Sequence, residues 1–275
     1  MIKEKKIRKY TDRKTSYMGS SRKFEKDIEW DKKHIPEFSV TYFGSAATIE
    51  IYGYKFIYFG DGTRESYLPG IFLGRNLHKD LEKYILKHGL PENYSKDIVV
   101  KAASPKNLKR FEEEVLCAYD ISHCYWRTAY LMKFITEKTY LKGLEKPEYK
   151  DALHVIIGAL GRHVITEYYK DGMKISVPDF KNYIYQPFFY LIKDYVFKLF
   201  VAVKKEFPED LCMWKTDCFY FNPAKTNEIV FFIESFGYTL KYDSIMVKKV
   251  TELKVEYFCV NDSVDKEMVF GIDTF

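Results

Sequence analysis

The chain has 275 residues, 47% of them hydrophobic and 30% charged, with a net charge of +5. That length admits one large domain or two small ones, and the balance of apolar and charged residues excludes wholesale disorder. The most apolar stretch, 187–203, is interrupted by Lys193, Asp194 and Lys198, so neither a membrane span nor a membrane partner is expected.

Residues 1–23 carry nine basic side chains against Glu4 and Asp12, a local charge of +7 that exceeds the surplus of the whole chain. Residues 1–35 therefore read as a basic, flexible arm. Such an arm attracts phosphate backbones through counterion release, and a solvated terminus explains it equally well. The start is charged where a signal peptide would be apolar. Five cysteines (Cys117, Cys124, Cys212, Cys218, Cys259) form no CxxC pair and no zinc spacing, as in a cytoplasmic protein with reduced thiols.

Residues 36–103 read as a β-rich front region with one helix. Positions 38–60 alternate apolar and polar, with a hairpin turn at Gly53-Tyr54. A helix over 76–88 stops at Gly89 and Pro91, and Tyr67-Leu68-Pro69-Gly70 has turn composition. From 104 to 275 a third region begins with Ser104 as N-cap and Pro105 at the first helical position of a helix running to about Glu114. Val115–Tyr119 suits a buried strand. Residues 126–140 and 147–166 look helical, and Gln186-Pro187 opens the longest helix, which Pro208 ends. Leu211–Phe221 reads as one strand, 226–235 as a helix closed by Gly237, and the rest as short strands. This order describes an α+β domain.

Two carboxylates stand out. Asp120 ends the apolar strand in CAYDISHCYW, where a cation or a hydrogen-bond donor must offset its desolvation, or where it caps the next helix. Asp217 lies in LCMWKTDCFYF. Alternation along one strand puts Lys215 on its face, so an ion pair is one explanation. The other pairs Asp217 with Asp120 on a neighbouring strand, where two carboxylates can hold divalent ions for in-line phosphoryl transfer. Magnesium, or manganese, suits such oxygen ligands. The histidines His34, His78, His88 and His163 have no metal spacing.

Three stretches in this order resemble family B DNA polymerases, most nearly the protein-primed branch. Asp120 to Trp126 is similar to the Asp-x-x-Ser-Leu-Tyr-Pro strand end, keeping Asp120 and Tyr125. Lys150 to Gly158 is similar to the Lys-x3-Asn-Ser-x-Tyr-Gly helix, keeping Lys150 and Gly158. Met213 to Cys218 resembles the Tyr-x-Asp-Thr-Asp-Ser hairpin, keeping Thr216 and Asp217.

The resemblance implies a palm-like antiparallel sheet with helices on one face. It implies a template-dependent nucleotidyltransferase acting on a DNA primer-template and dNTPs, with a priming protein or other replication subunits as partners. Asp120 and Asp217 would ligate both metal ions, aided by the Ile121 carbonyl. Ser122, Tyr125, Lys150, His154 and Gly158 would line the nucleotide site. Lys254 would touch the primer, and Tyr67 and Gly70 the template.

Departures leave an alternative open. Lys215 replaces the first hairpin aspartate, and His154 and Ile157 replace the Asn and Tyr of the pocket, as in a degenerate palm with a binding or structural role. Asp27-Ile28-Glu29 and Asn76 to Asp80 have the form of exonuclease motifs, yet the first lies in a charged run unlike a buried strand. An unrelated α+β interaction protein is the third reading.

Overall fold

The computed structural model describes residues 16–17, 21–43, 46–51, 54–58, 64–96, 98–99, 101–147, 149–161, 163–175, 179–182 and 184–269. The fold is α+β with antiparallel sheets, as expected. It divides into two compact units that do not follow the expected boundaries at 35 and 103. One comprises Met1–His88 and Leu141–Phe189, the other Gly89–Tyr140 and Tyr190–Phe275. Most of the basic arm, and the Gly53 turn, lie outside the described residues.

The first unit holds helix α1 (Ser21–His34) and strands β1 (Ser16–Tyr17), β2 (Glu37–Phe43), β3 (Ala46–Ile51) and β4 (Tyr54–Tyr58). It continues with α2 (Arg64–His88). From the later segment come α6 (Tyr149–Leu160), β7 (His163–Lys170), β8 (Met173–Lys174) and β9 (Asp179–Asn182). Alternation in β2 and β3 buries Phe38, Val40, Ile49 and Ile51 against Phe24 and Ile28 of α1. Asp27 and Glu29 therefore sit on a helix, not on the strand that an exonuclease site requires.

Helix α2 begins earlier than expected, because Leu73, Leu77 and Leu81, each fully buried, drive one continuous helix. Tyr67 and Gly70, expected in a turn, thus lie on helical backbone. The helix expected over 147–166 stops at Leu160, and strand β7 takes over two residues beyond Gly161. Val164, Ile165 and Thr166 are β-branched, and Thr166 pairs with Thr41 of β2.

In the second unit, β5 (Lys101–Ala103) leads to α3 (Pro105–Lys109) and β6 (Val115–Ile121). As expected, Ser104 caps α3, its hydroxyl accepting from the Asn107 amide at 3.2 Å. The helix is shorter than expected, ending at Lys109. The helix expected over 126–140 is two: α4 (Cys124–Leu131) and α5 (Glu137–Leu144), separated where Lys133 adopts a φ of 62°. The long helix α7 (Gln186–Glu206) ends before Pro208, as expected.

The strand expected over Leu211–Phe221 is a hairpin, β10 (Leu211–Lys215) and β11 (Cys218–Phe221), reversing at Thr216-Asp217. Helix α8 (Thr226–Ser235) and strands β12 (Leu240–Val250), β13 (Lys254–Cys259) and β14 (Val264–Val269) complete the unit.

The seven strands run in the order β14-β13-β12-β6-β11-β10-β5, every pairing antiparallel, with β6 central. One face of this sheet carries Cys117, Ile121, Trp214, Phe219 and Phe221. They pack on Cys124 of α4, Leu199, Phe200 and Val203 of α7, and Ile229 and Ile233 of α8. Trp214 stacks on Phe200 with ring centroids 4.4 Å apart.

The other face curls inward. Lys101 of the edge strand β5 donates from Nζ to the Val269 carbonyl of the opposite edge strand β14 at 3.3 Å. Leu116, Ala118, Met213, Tyr220, Ile245, Val247, Val255 and Tyr257 fill the concavity, and Leu108 of α3 and Phe111 just after it belong to the same cluster.

Candidate active site

Side chains alternate across β6, so Asp120 shares the concave face with Ala118 and Leu116 rather than the helix-covered face. It stands directly opposite Cys218 of β11 and Lys241 of β12. Asp217 occupies the hairpin turn one residue before Cys218, and its carbonyl accepts from the Ile121 amide at 2.9 Å. The two aspartates thus fall at adjoining positions of neighbouring elements, although they are 97 positions apart in the chain (217 − 120). Both are partly buried.

The turn is tight. The Asp217 amide donates to the Lys215 carbonyl at 2.8 Å across Thr216, whose φ of 60° is left-handed. For a β-branched residue that backbone is strained. The reversal corrects the expected single-strand geometry. Lys215 faces Cys218 and, beyond it, Asp120, while Asp217 lies in the turn and not two positions along the same strand.

Neighbouring groups register the two negative charges. Burial pushes the Cys124 thiol well above its ordinary range, and the charges of Asp217 and Asp120 push it further. Burial also drives Cys218 up to about 12, with Asp120, Asp217 and Asp243 adding to the shift and a hydrogen bond with Tyr220 opposing it. Tyr125, on the first turn of α4, is raised by burial first, then by Cys124 and Asp217. Asp120, Asp217 and Tyr125 therefore share one neighbourhood. Asp120 does not cap α4; that position belongs to His123, which is left-handed at φ 51°. The Ser122 amide is tied to the Thr239 carbonyl at 2.8 Å.

A cavity of about 240 Å³ opens on the concave face beside Asp120. Ala118 leaves the space, and Lys241, Asp243, Asn261, Asp262 and Lys266 contribute its polar walls. Lys266 is neutralised there by Asp262 at 2.8 Å. Sequence reading did not single out Lys241 or Asp243, since only strand register brings them to Asp120.

Two expected contributors behave otherwise. Lys254 begins β13, next to the Val250–Val255 pair, whereas Asp120 pairs at Lys241. Almost the whole of the 11-residue β12 lies between their two pairing positions. Its ammonium is held by Glu256 at 2.9 Å and Glu267 at 3.0 Å, and these hydrogen bonds raise it to about 12. Lys254 is thus not beside the aspartates.

Lys150, His154 and Gly158 line one exposed stripe of α6, in the first unit, opposite the buried Leu153, Ile156, Ile157 and Leu160. Ile157 is core, not pocket lining.

For a metal, the donors at hand are two carboxylates. Among the described residues no group of three or more His, Cys, Asp and Glu side chains is arranged to hold an ion. Two oxygen donors fit magnesium or manganese, which keep several waters and complete their shells with substrate phosphates. All five cysteines are free thiols. Among the described residues no helix is long and apolar enough to cross a membrane. The chain matches no known protein-family model, and no characterised protein matches it.

Proposed function

We propose that this protein is a template-dependent nucleotidyltransferase of the DNA polymerase kind. The observation that carries the reading is the juxtaposition of Asp120 and Asp217 across β6 and the β10–β11 turn. The pair sits where helices cover the back of an antiparallel sheet and leave the other face curled. A divalent ion bound there supplies charge neutralisation of the transferring phosphoryl group.

The chain's own residues do the rest. Asp120 and Asp217 would hold the ion, and the γ-like turn at Thr216 fixes the backbone at Asp217. Tyr125, beside Asp217, offers a ring for the incoming sugar.

The test is primed dNTP incorporation with Mg²⁺ or Mn²⁺ by purified protein, alongside Asp120→Asn and Asp217→Asn. Incorporation by wild type, lost at least 100-fold in each variant with the fold retained by circular dichroism, supports the reading. An inert wild type sinks it.

A second reading, a palm-like protein that has lost catalysis and serves as a nucleic-acid-binding component, is favoured by Lys215. This lysine shares the Asp120 face, where the resemblance calls for a carboxylate. An inert wild type that still binds DNA with a steep salt dependence supports that alternative.

A further inference from the structure

The register of the curled sheet aligns residues that lie far apart in sequence. Lys101 of β5 is paired with Lys215 of β10, Lys215 with Cys218 of β11, Cys218 with Asp120 of β6, and Asp120 with Lys241 of β12. Directly paired residues of an antiparallel ladder point to the same face. Five adjacent strands therefore present one transverse row on the concave side, with three lysines flanking Asp120. At the ~4.8 Å spacing of neighbouring strands the row extends about 19 Å.

The three ammonium groups differ from the other lysines of this sheet. Lys248 pairs with Asp265 at 2.6 Å, Lys254 with Glu256 and Glu267, and Lys266 with Asp262. Lys101, Lys215 and Lys241 form no ion pair among the described residues. Lys101 donates to a neutral acceptor, the Val269 carbonyl. Lys101 and Lys241 are exposed and Lys215 is half-buried. Three cationic groups and one carboxylate, Asp120, are thus set in a line, with Asp243 and Asp262 near Lys241, and the lysines are spaced more widely than a single small anion spans.

We infer that this row is a track for the phosphodiester backbone of a nucleic-acid strand, laid across β5, β10, β11, β6 and β12 so that it passes over Asp120. The row itself comes from strand register. The identity of the anion, a polynucleotide, rests on the proposed polymerase reading. The charge pattern also accounts for Lys215 at the hairpin: at that position it extends the track rather than the metal-binding pair.

The experiment measures binding of the full chain to a fluorescent 3′-recessed DNA duplex by anisotropy over a series of KCl concentrations. It compares wild type, Lys101→Ala, Lys215→Ala, Lys241→Ala, the triple variant and, as a control, Lys248→Ala, with circular dichroism to check folding. Each neutralised phosphate contributes ~0.7–0.9 to the slope of log affinity against log salt. Each row variant is expected to lower the slope by about that much, and the triple variant by about 2 to 3, with Lys248→Ala unchanged. Lys215→Arg restores the wild-type slope.

A triple variant that binds with the wild-type slope overturns the track, as does an equal loss in Lys248→Ala. Salt-dependent binding that needs the row, without any incorporation by wild type, leaves the track standing and defeats the polymerase reading. Incorporation that survives the triple variant at unchanged DNA affinity does the reverse.

Discussion

Lys101 and Val269 lie on the two opposite edge strands of one seven-stranded sheet, yet the lysine Nζ reaches the valine carbonyl at 3.3 Å. The sheet is therefore bent until its borders nearly meet at one place. That bend turns the Asp120 face into a concavity, with α3 and Phe111 filling one end and the polar cavity opening at the other.

Lys254 offers a direct contrast between resemblance and register. Because two glutamates hold it and β12 separates it from Asp120, Lys254→Ala is expected to change neither incorporation nor the salt slope of DNA binding by more than about twofold. A ten-fold loss in steady-state incorporation assays would return it to the active site.

Thr216 stores strain at the hairpin. Its φ of 60° suits glycine, so Thr216→Gly is expected to raise stability or leave it unchanged, by up to about 1 kcal/mol in urea unfolding. Incorporation is expected to fall several-fold, since the backbone at Asp217 is then less fixed. A destabilised Thr216→Gly would show that the threonine side chain, not the turn, matters there.

Asn107 joins the α3 end of the sheet to the loop after α7. Its side-chain amide donates to the Pro208 and Leu211 carbonyls, each at 2.9 Å, and the residue is 2% exposed. Asn107→Ala leaves both carbonyls without that donor and is expected to cost about 2–3 kcal/mol. Urea unfolding with an unchanged m value measures it. Catalysis by the surviving folded protein should be unaffected at low temperature.

His78, stacked on Tyr185 with ring centroids 4.9 Å apart, has its pKa lowered by burial, against an opposing pull from Glu82. The folded state thus binds this proton less readily than the unfolded chain does. Stability associated with neutral His78 is present above the unfolded value of ~6.5 and is lost as pH falls below it through the folded pKa. Thermal melts between pH 7.5 and 5 are expected to show a drop that His78→Gln reduces.

What the sequence made legible follows physical locality. The Ser104 cap, the end of α7 before Pro208 and the apolar strand leading to Asp120 depend on nearby residues, and each stands as expected. The hairpin was hidden because its turn carries neither Gly nor Pro, only a strained Thr216 and Asp217 within an unbroken apolar run. The division into units was hidden because no linker composition marks residues 141–189 as belonging with the N-terminal segment. Of the candidate site, Asp120, Asp217 and Tyr125 were legible from their local motifs. The lysine row was not, because pairings between distant strands create it.

The central position of β6 also bears on how the chain is made. Its partners β11 and β12 are encoded roughly 100 and 120 positions later, after a segment that packs with the other unit. At ~5–20 residues per second of synthesis, β6 waits on the order of ten seconds with both hydrogen-bonding borders open. During that interval an apolar strand ending in Asp120 is a target for chaperones and for self-association. Emergence of β11 and β12 from the ribosome is then the event that lets the second unit form at all.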